Sequence, residues 1–127
     1  MNSLDTNIVL RFLLNDIPSQ SSRAKLVFSN PPFYVSDVVV AETVYVLEKS
    51  LGYARNYVAS LIRVLIAVPG LTYSDHLLAD VIDMYESKKS LSFVDCFAAI
   101  EAQTFGSKLY TFDKDLIKHG GTHVQAP

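Results

Sequence analysis

Apolar and polar positions follow two different periods along the chain. Short apolar runs bounded by turn residues predict strands, whereas segments whose apolar residues recur every three or four positions predict amphipathic helices. The runs predict strands just before Asp5 and at 33–35, 71–73 and 108–112, with a possible last strand at Val124. The longer segments predict helices at 8–14, 19–29, 37–51, 53–68, 75–87, 92–105 and 114–118.

Strands that alternate with helices predict the fold class. Such an order is typical of α/β proteins with a parallel sheet and helices on both of its faces. We therefore expect a parallel-sheet α/β/α sandwich with short central strands. The chain has 127 residues, half of them hydrophobic, which suits one domain over residues 1–127 with a substantial core.

Composition narrows the function classes only slightly. The formal net charge is -2, so no global basic field indicates nucleic-acid binding, and any such binding must be local. A single cysteine, Cys96, excludes an internal disulfide and fits a reducing cytoplasm; we expect it to be a small core residue. The apolar stretches are short and interrupted, which predicts neither a signal peptide nor a membrane span.

Four carboxylates are expected at one edge of the predicted sheet. Asp5 and Asp113 each follow a strand, and ligands of parallel sheets bind beyond the carboxyl ends of the strands. Glu42 lies in the second turn of the helix after strand 33–35. Asp95 begins the helix that precedes strand 108–112, so the start of that helix returns to the same edge.

Three of these acids also have a purely structural interpretation. Asp5 or Thr6 would serve as a helix cap, and Asp95 would bond back to the start of its own helix in a capping box. Glu42 would be an exposed residue on the solvent-facing side of its helix. Its apolar neighbours three and four positions away favour instead a face shared with the core, where a carboxylate needs a cation, a metal or a proton; these neighbours are Val38, Val39, Tyr45 and Val46.

The chemistry that fits the four acids is metal-assisted hydrolysis. No lysine or arginine is built into the predicted cluster, so a divalent cation is the remaining compensation. Carboxylate oxygens suit Mg²⁺ or Mn²⁺, which activate water against a phosphodiester. His119 and His123 have a zinc-like spacing, but no further ligand completes a site, and we interpret them as tail residues.

The motifs in their order resemble the PIN domain, and more narrowly the VapC-type toxin ribonucleases. They are Leu4-Asp5-Thr6-Asn7, then Ala41-Glu42, then Asp95-Cys96-x-x-Ala99, then Leu109-Tyr110-Thr111-Phe112-Asp113. The resemblance implies Mg²⁺- or Mn²⁺-dependent RNA cleavage by a homodimer that a small VapB-type antitoxin inhibits. It assigns metal binding to Asp5, Glu42, Asp95 and Asp113, and it suggests that Thr6, Asn7 and Thr111 orient those acids or the water.

Further charged residues have open roles. Arg11 is the only charge in the apolar run 8–14, and we expect it either to contact substrate or to reach solvent. Arg23 and Lys25 are interpreted as ordinary exposed charges, although either could touch a phosphate. Asp115 either supports the metal site or, as we prefer, caps the last helix.

Rival interpretations remain open at this stage. A degenerate PIN-like module would bind RNA or a protein without cutting, and a housekeeping PIN nuclease would cut without an antitoxin. The spacing of Asp113 and Asp115 is similar to the start of haloacid-dehalogenase phosphatases, but too little chain follows to build their sheet. The helices at 19–29 and 53–68 are the expected surfaces for a second copy or a partner peptide.

Overall fold

The computed structural model describes residues 1–74 and 77–127. Contacts within the chain divide it into two compact units, Met1–Ser74 and Asp75–Pro127. In both units helices connect short parallel strands, as the sequence predicts. The single domain over residues 1–127 stays a prediction.

The first unit is a three-stranded parallel sheet with four α-helices. Its strands β1 (Asn2–Ser3), β2 (Phe33–Tyr34) and β3 (Leu71–Thr72) lie in that order, with Ser3 opposite Tyr34 and Tyr34 opposite Thr72. The pairing of the first two strands continues one residue beyond the end of the first, because the Leu4 N–H donates to the Tyr34 carbonyl at 3.0 Å. The elements are β1 (Asn2–Ser3), α1 (Thr6–Leu14), α2 (Pro18–Phe28), β2 (Phe33–Tyr34), α3 (Asp37–Tyr45), a π-helical segment (Val46–Ser50), α4 (Arg55–Ile66) and β3 (Leu71–Thr72).

Two contacts fix α2 against α1. The rings of Phe12 and Phe28 stack with their centres 3.9 Å apart, and the Ser21 hydroxyl donates to the Arg11 carbonyl at 2.9 Å. Ser21 is fully buried, so this hydrogen bond satisfies a polar group that would otherwise be costly to bury. These two contacts hold α2 against α1.

The long helix predicted for 37–51 changes its winding near its end. Ser36 caps α3, but beyond Tyr45 the Leu51 N–H bonds to the Val46 carbonyl, five residues back, at 2.9 Å. The wider turn keeps Leu47 in the core and leaves Leu51 exposed. A period of 3.6 residues cannot reveal such a turn.

The second unit contains three helices and two paired strands. They are α5 (Leu78–Ser87), α6 (Phe93–Phe105), β4 (Leu109–Tyr110), α7 (Lys114–His119) and β5 (Val124–Gln125). β4 and β5 run parallel, which confirms the last strand at Val124. α6 ends at Gly106, whose φ of +66° is a conformation that favours glycine.

The predicted start of the fifth helix needs a correction. The expected helix 75–87 begins at Leu78, with Leu77 at the capping position, while Asp75 and His76 lie outside the described residues. Ser74 does not cap this helix. Its hydroxyl donates to Asp37 Oδ2 at 3.0 Å. The two residues can meet because Asp37 follows β2 and Ser74 follows β3, and these strands are neighbours in the sheet.

Candidate active site

Asp5 lies just beyond β1, at the carboxyl edge of the first unit's sheet. It occupies the capping position of α1, yet its exposed side chain makes no capping hydrogen bond. The backbone geometry of a cap is therefore present while the carboxylate remains available. A capping role does not account for this acid.

Thr6 and Glu42 join the start of α1 to α3. The Thr6 hydroxyl donates a hydrogen bond to Glu42 Oε1, and Thr6 itself is buried. Since Thr6 follows Asp5 directly, the contact brings two acids from distant parts of the chain to one edge of the first sheet. The hydrogen bond is compatible with the orienting role that the resemblance suggests for Thr6, and that role stays a prediction.

The expected burial of Glu42 is wrong. Glu42 is exposed, and its neighbours Val38 and Tyr45 are exposed to 78% and 63%. The core side of α3 carries Val40 and Val44 instead. α3 is apolar around most of its circumference, so its periodicity did not define a single inner face. Solvent and the Thr6 hydroxyl stabilise this carboxylate, so burial does not demand a cation.

Asp95 lies in the second unit, at the third position of α6. Its Oδ2 accepts from the Ser92 N–H at 3.1 Å, and the Ser92 hydroxyl accepts from the Asp95 N–H at 3.1 Å. The capping box is therefore complete. This bond fixes one carboxylate oxygen at the start of the helix and leaves the other oxygen for a ligand.

Asp113 caps the last helix of the second unit. Its Oδ1 accepts from the Leu116 N–H at 2.9 Å, and its own N–H donates to the Thr111 hydroxyl at 3.0 Å. The expectation that Asp115 caps this helix is wrong, because Asp113 holds that position and Asp115 is an exposed residue of the first turn. Thr111 contacts the backbone of Asp113 and not its carboxylate.

Arg11 lies on α1 and does not simply reach into solvent. Its side chain is only 17% exposed, and its Nη1 lies 3.3 Å from Asp16 Oδ1. Within the described residues its buried Nε has no hydrogen-bond partner. Arg11 and Asn7 line a cavity of about 510 Å³ between α1 and α2. No pattern in the sequence predicts this cavity.

The side-chain oxygens of the candidate site can be compared with the ligands that a metal ion requires. Neither the first unit nor the described part of the second gathers three or more His, Cys, Asp or Glu side chains in a metal-binding cluster. The first unit offers two carboxylates and a hydroxyl. These are hard oxygen donors, and Mg²⁺ is commonly held by one or two carboxylates together with water. The residues of the first unit therefore fit a hard divalent cation.

Comparison with known proteins identifies the family. A family model described as PIN domain matches residues 3–121. No curated protein sequence matches the chain. Within the described residues, no helix has the length and apolar character needed to cross a membrane. PIN domains have an α/β fold and are generally nucleases that use divalent metals, so the predicted fold class is confirmed. With nearly its whole length matched, the chain belongs to the PIN domain family.

Proposed function

We propose that the chain is a Mg²⁺- or Mn²⁺-dependent endoribonuclease and the toxin of a type II toxin–antitoxin pair of the VapC type. Asp5, Glu42, Asp95 and Asp113 are the proposed metal-binding and catalytic acids. The observation that carries the proposal is the hydrogen bond between Thr6 and Glu42, next in sequence to Asp5, whose carboxylate makes no capping hydrogen bond. It supports two acids at one edge of the sheet, with Glu42 held by Thr6, in a chain whose family consists generally of nucleases.

Orientation of the acids is the second support. Glu42, Asp95 and Asp113 each have one carboxylate oxygen held by a hydrogen bond from Thr6, Ser92 or Leu116. Their other oxygens have no hydrogen bond within the described residues. A ligand side chain held in this way loses little freedom on binding, which is the usual role of groups that support a metal site.

The proposed reaction is hydrolysis of an RNA phosphodiester. A bound Mg²⁺ or Mn²⁺ would supply an activated water and offset negative charge on the phosphoryl oxygens. The acids hold the site, and Thr6 keeps Glu42 in place. Arg11 is proposed to contact substrate, and Asn7 and Thr111 to orient the acids or the water.

The proposed partners are a second copy of the chain and a VapB-type antitoxin. Large apolar side chains are exposed on α2 and α4, and such surfaces commonly bind other proteins. They include Leu26, Val27, Tyr57 and Val64. Cys96 is the one cysteine of the sequence and is buried, which supports a cytoplasmic enzyme that needs no disulfide. Partner exchange at these helices would regulate the nuclease.

A second candidate function is RNA or protein binding without cleavage. Capping bonds alone account for Asp95 and Asp113, which favours this alternative for the second unit. Catalytic turnover of RNA distinguishes the two functions, because only the nuclease cleaves it. Single-stranded and structured RNA should be incubated with the purified chain in Mg²⁺ or Mn²⁺, then with a chelator, and with Asp5→Asn as the inactive control. Cleavage that survives both chelation and Asp5→Asn would refute the metal-dependent mechanism.

A further inference from the structure

The cavity between α1 and α2 combines charge with apolar walls. Its volume of about 510 Å³ lies within the range typical of small-molecule sites. Seven side chains line it: Asn7, Ile8, Arg11, Gln20, Arg23, Leu26 and Val27. Within residues 1–74 this lining contains two arginines, two amides and three aliphatic residues, and no acid.

The positive charge of the two arginines in the cavity is only partly balanced by acidic side chains of the described residues. Asp16 pairs with one end of Arg11, but Arg11 Nε is buried without a hydrogen-bond partner in the described residues. Arg23 makes no described ion pair or hydrogen bond, and it is exposed. A buried donor without a partner is costly, so the cavity favours an occupant that brings acceptor atoms and negative charge.

The face of α2 explains which residues reach this cavity. Gln20, Arg23 and Leu26 follow one another at intervals of three, so they share one side of the helix. Lys25, two positions from Arg23, points to another side and does not line the cavity. The same helix therefore carries one basic residue inside the cavity and one outside it.

The lining of the cavity begins close in sequence to the candidate active site. Asn7 lines it and lies two residues beyond Asp5, and Arg11 lies one helical turn further along the same face of α1. The distance along α1 from Asp5 to Arg11 is roughly 9 Å at the rise of an α-helix. A strand of RNA whose phosphodiester lies at Asp5 would place a neighbouring nucleotide at this opening.

The geometry points to a nucleotide-binding subsite in this cavity, with Arg23 and Arg11 contacting an RNA phosphate and Leu26 and Val27 packing against its base. This inference rests on the proposed ribonuclease function. Guanidinium groups suit phosphate because they donate two parallel hydrogen bonds. The amides of Asn7 and Gln20 supply the donors and acceptors that a base edge requires.

The test measures RNA binding without cleavage. A fluorescent single-stranded RNA is titrated with Asp5→Asn protein in chelator, over a series of salt concentrations. Arg23→Ala in this background should weaken binding and reduce the magnitude of the slope of log K against log salt by about 0.7, the value for one phosphate contact on a single strand. Arg23→Lys should restore most of that slope. Lys25→Ala is the matched control, since it removes the same charge from the same helix, and should leave the slope unchanged.

Three outcomes would be decisive. Equal slopes for Arg23→Ala and Lys25→Ala, in a protein whose wild type cuts RNA with Mn²⁺, would overturn the subsite and leave the proposed function intact. Absence of both RNA cleavage by wild type and RNA binding by Asp5→Asn would instead overturn the proposed function. Binding of a peptide of alternating Leu and Asp that depends on Arg23, with RNA binding that does not, would make the cavity a protein-docking site and refute the inference.

Discussion

The capping box of α6 allows the structural and chemical roles of Asp95 to be separated. Ser92→Ala removes the hydroxyl that accepts from the Asp95 N–H at 3.1 Å. Loss of such a cap typically costs about 1 kcal/mol of stability. For a domain of this size that corresponds to a fall of about 4 °C in Tm. The backbone N–H of Ser92 remains, so the Asp95 carboxylate keeps its hydrogen bond in this variant.

Asp95→Asn should have a smaller effect on stability. The amide oxygen can still accept from the Ser92 N–H, so only the favourable interaction of a negative charge with the helix N-terminus is lost. That interaction contributes about 0.3–1 kcal/mol at partly exposed sites. We therefore expect Asp95→Asn to be at least as stable as Ser92→Ala in the absence of metal.

Activity should rank the two variants in the opposite order. Asp95→Asn should lower RNA cleavage by at least about 100-fold, the upper end for groups that merely support a metal ligand. Ser92→Ala should remain close to wild-type activity at temperatures well below its Tm. Thermal melts and initial cleavage rates on the same preparations provide the comparison. An active Asp95→Asn, or a Ser92→Ala as inactive as Asp95→Asn, would show that the residue acts through the helix cap and not through chemistry.

Three further predictions concern Thr6, the acids Asp113 and Asp115, and the oligomeric state. Thr6→Val should lower cleavage while costing less than about 1 kcal/mol of stability, because Glu42 is exposed and water replaces the lost hydroxyl, as melts and kinetics together would reveal. Asp113→Asn should be inactive and Asp115→Asn active, a difference that parallel cleavage assays would measure and that equal activities would contradict. Light scattering at micromolar concentration should give the mass of a dimer; a monomer would argue against the proposed assembly.

Local signals in the sequence predicted much of the fold because they act within one or two helical turns. Ser92, Asp95 and Gly106 define both ends of α6, and the structure confirms the capping box and the left-handed end. The parallel pairing also follows from the order of the elements, since strands that alternate with helices rarely pair in any other way. The boundaries were less well defined, because each strand is a two-residue ladder with irregular chain on either side.

Predictions that depended on tertiary context were weaker. The apolar pattern of α3 could not show that Val38 and Tyr45 face solvent, so Glu42 was wrongly expected inside. The choice between Asp113 and Asp115 as a cap depended on where the helix begins, which differs by only two residues. The cavity beside Arg11 depends on the packing of α1 against α2, a contact for which the sequence carries no local signal.

The most direct test of the central claim is the origin of the oxygen that enters the cleaved phosphate. RNA is cut by the wild-type chain with Mn²⁺ in water enriched in ¹⁸O, and the products are analysed by mass spectrometry. Hydrolysis by activated water predicts one ¹⁸O atom in the terminal phosphate of each newly cut product, with no label in the Asp5→Asn control because no product forms. A 2′,3′-cyclic phosphate without ¹⁸O as the first product would mean that the RNA's own 2′-hydroxyl attacks, and it would contradict metal-activated water as the nucleophile.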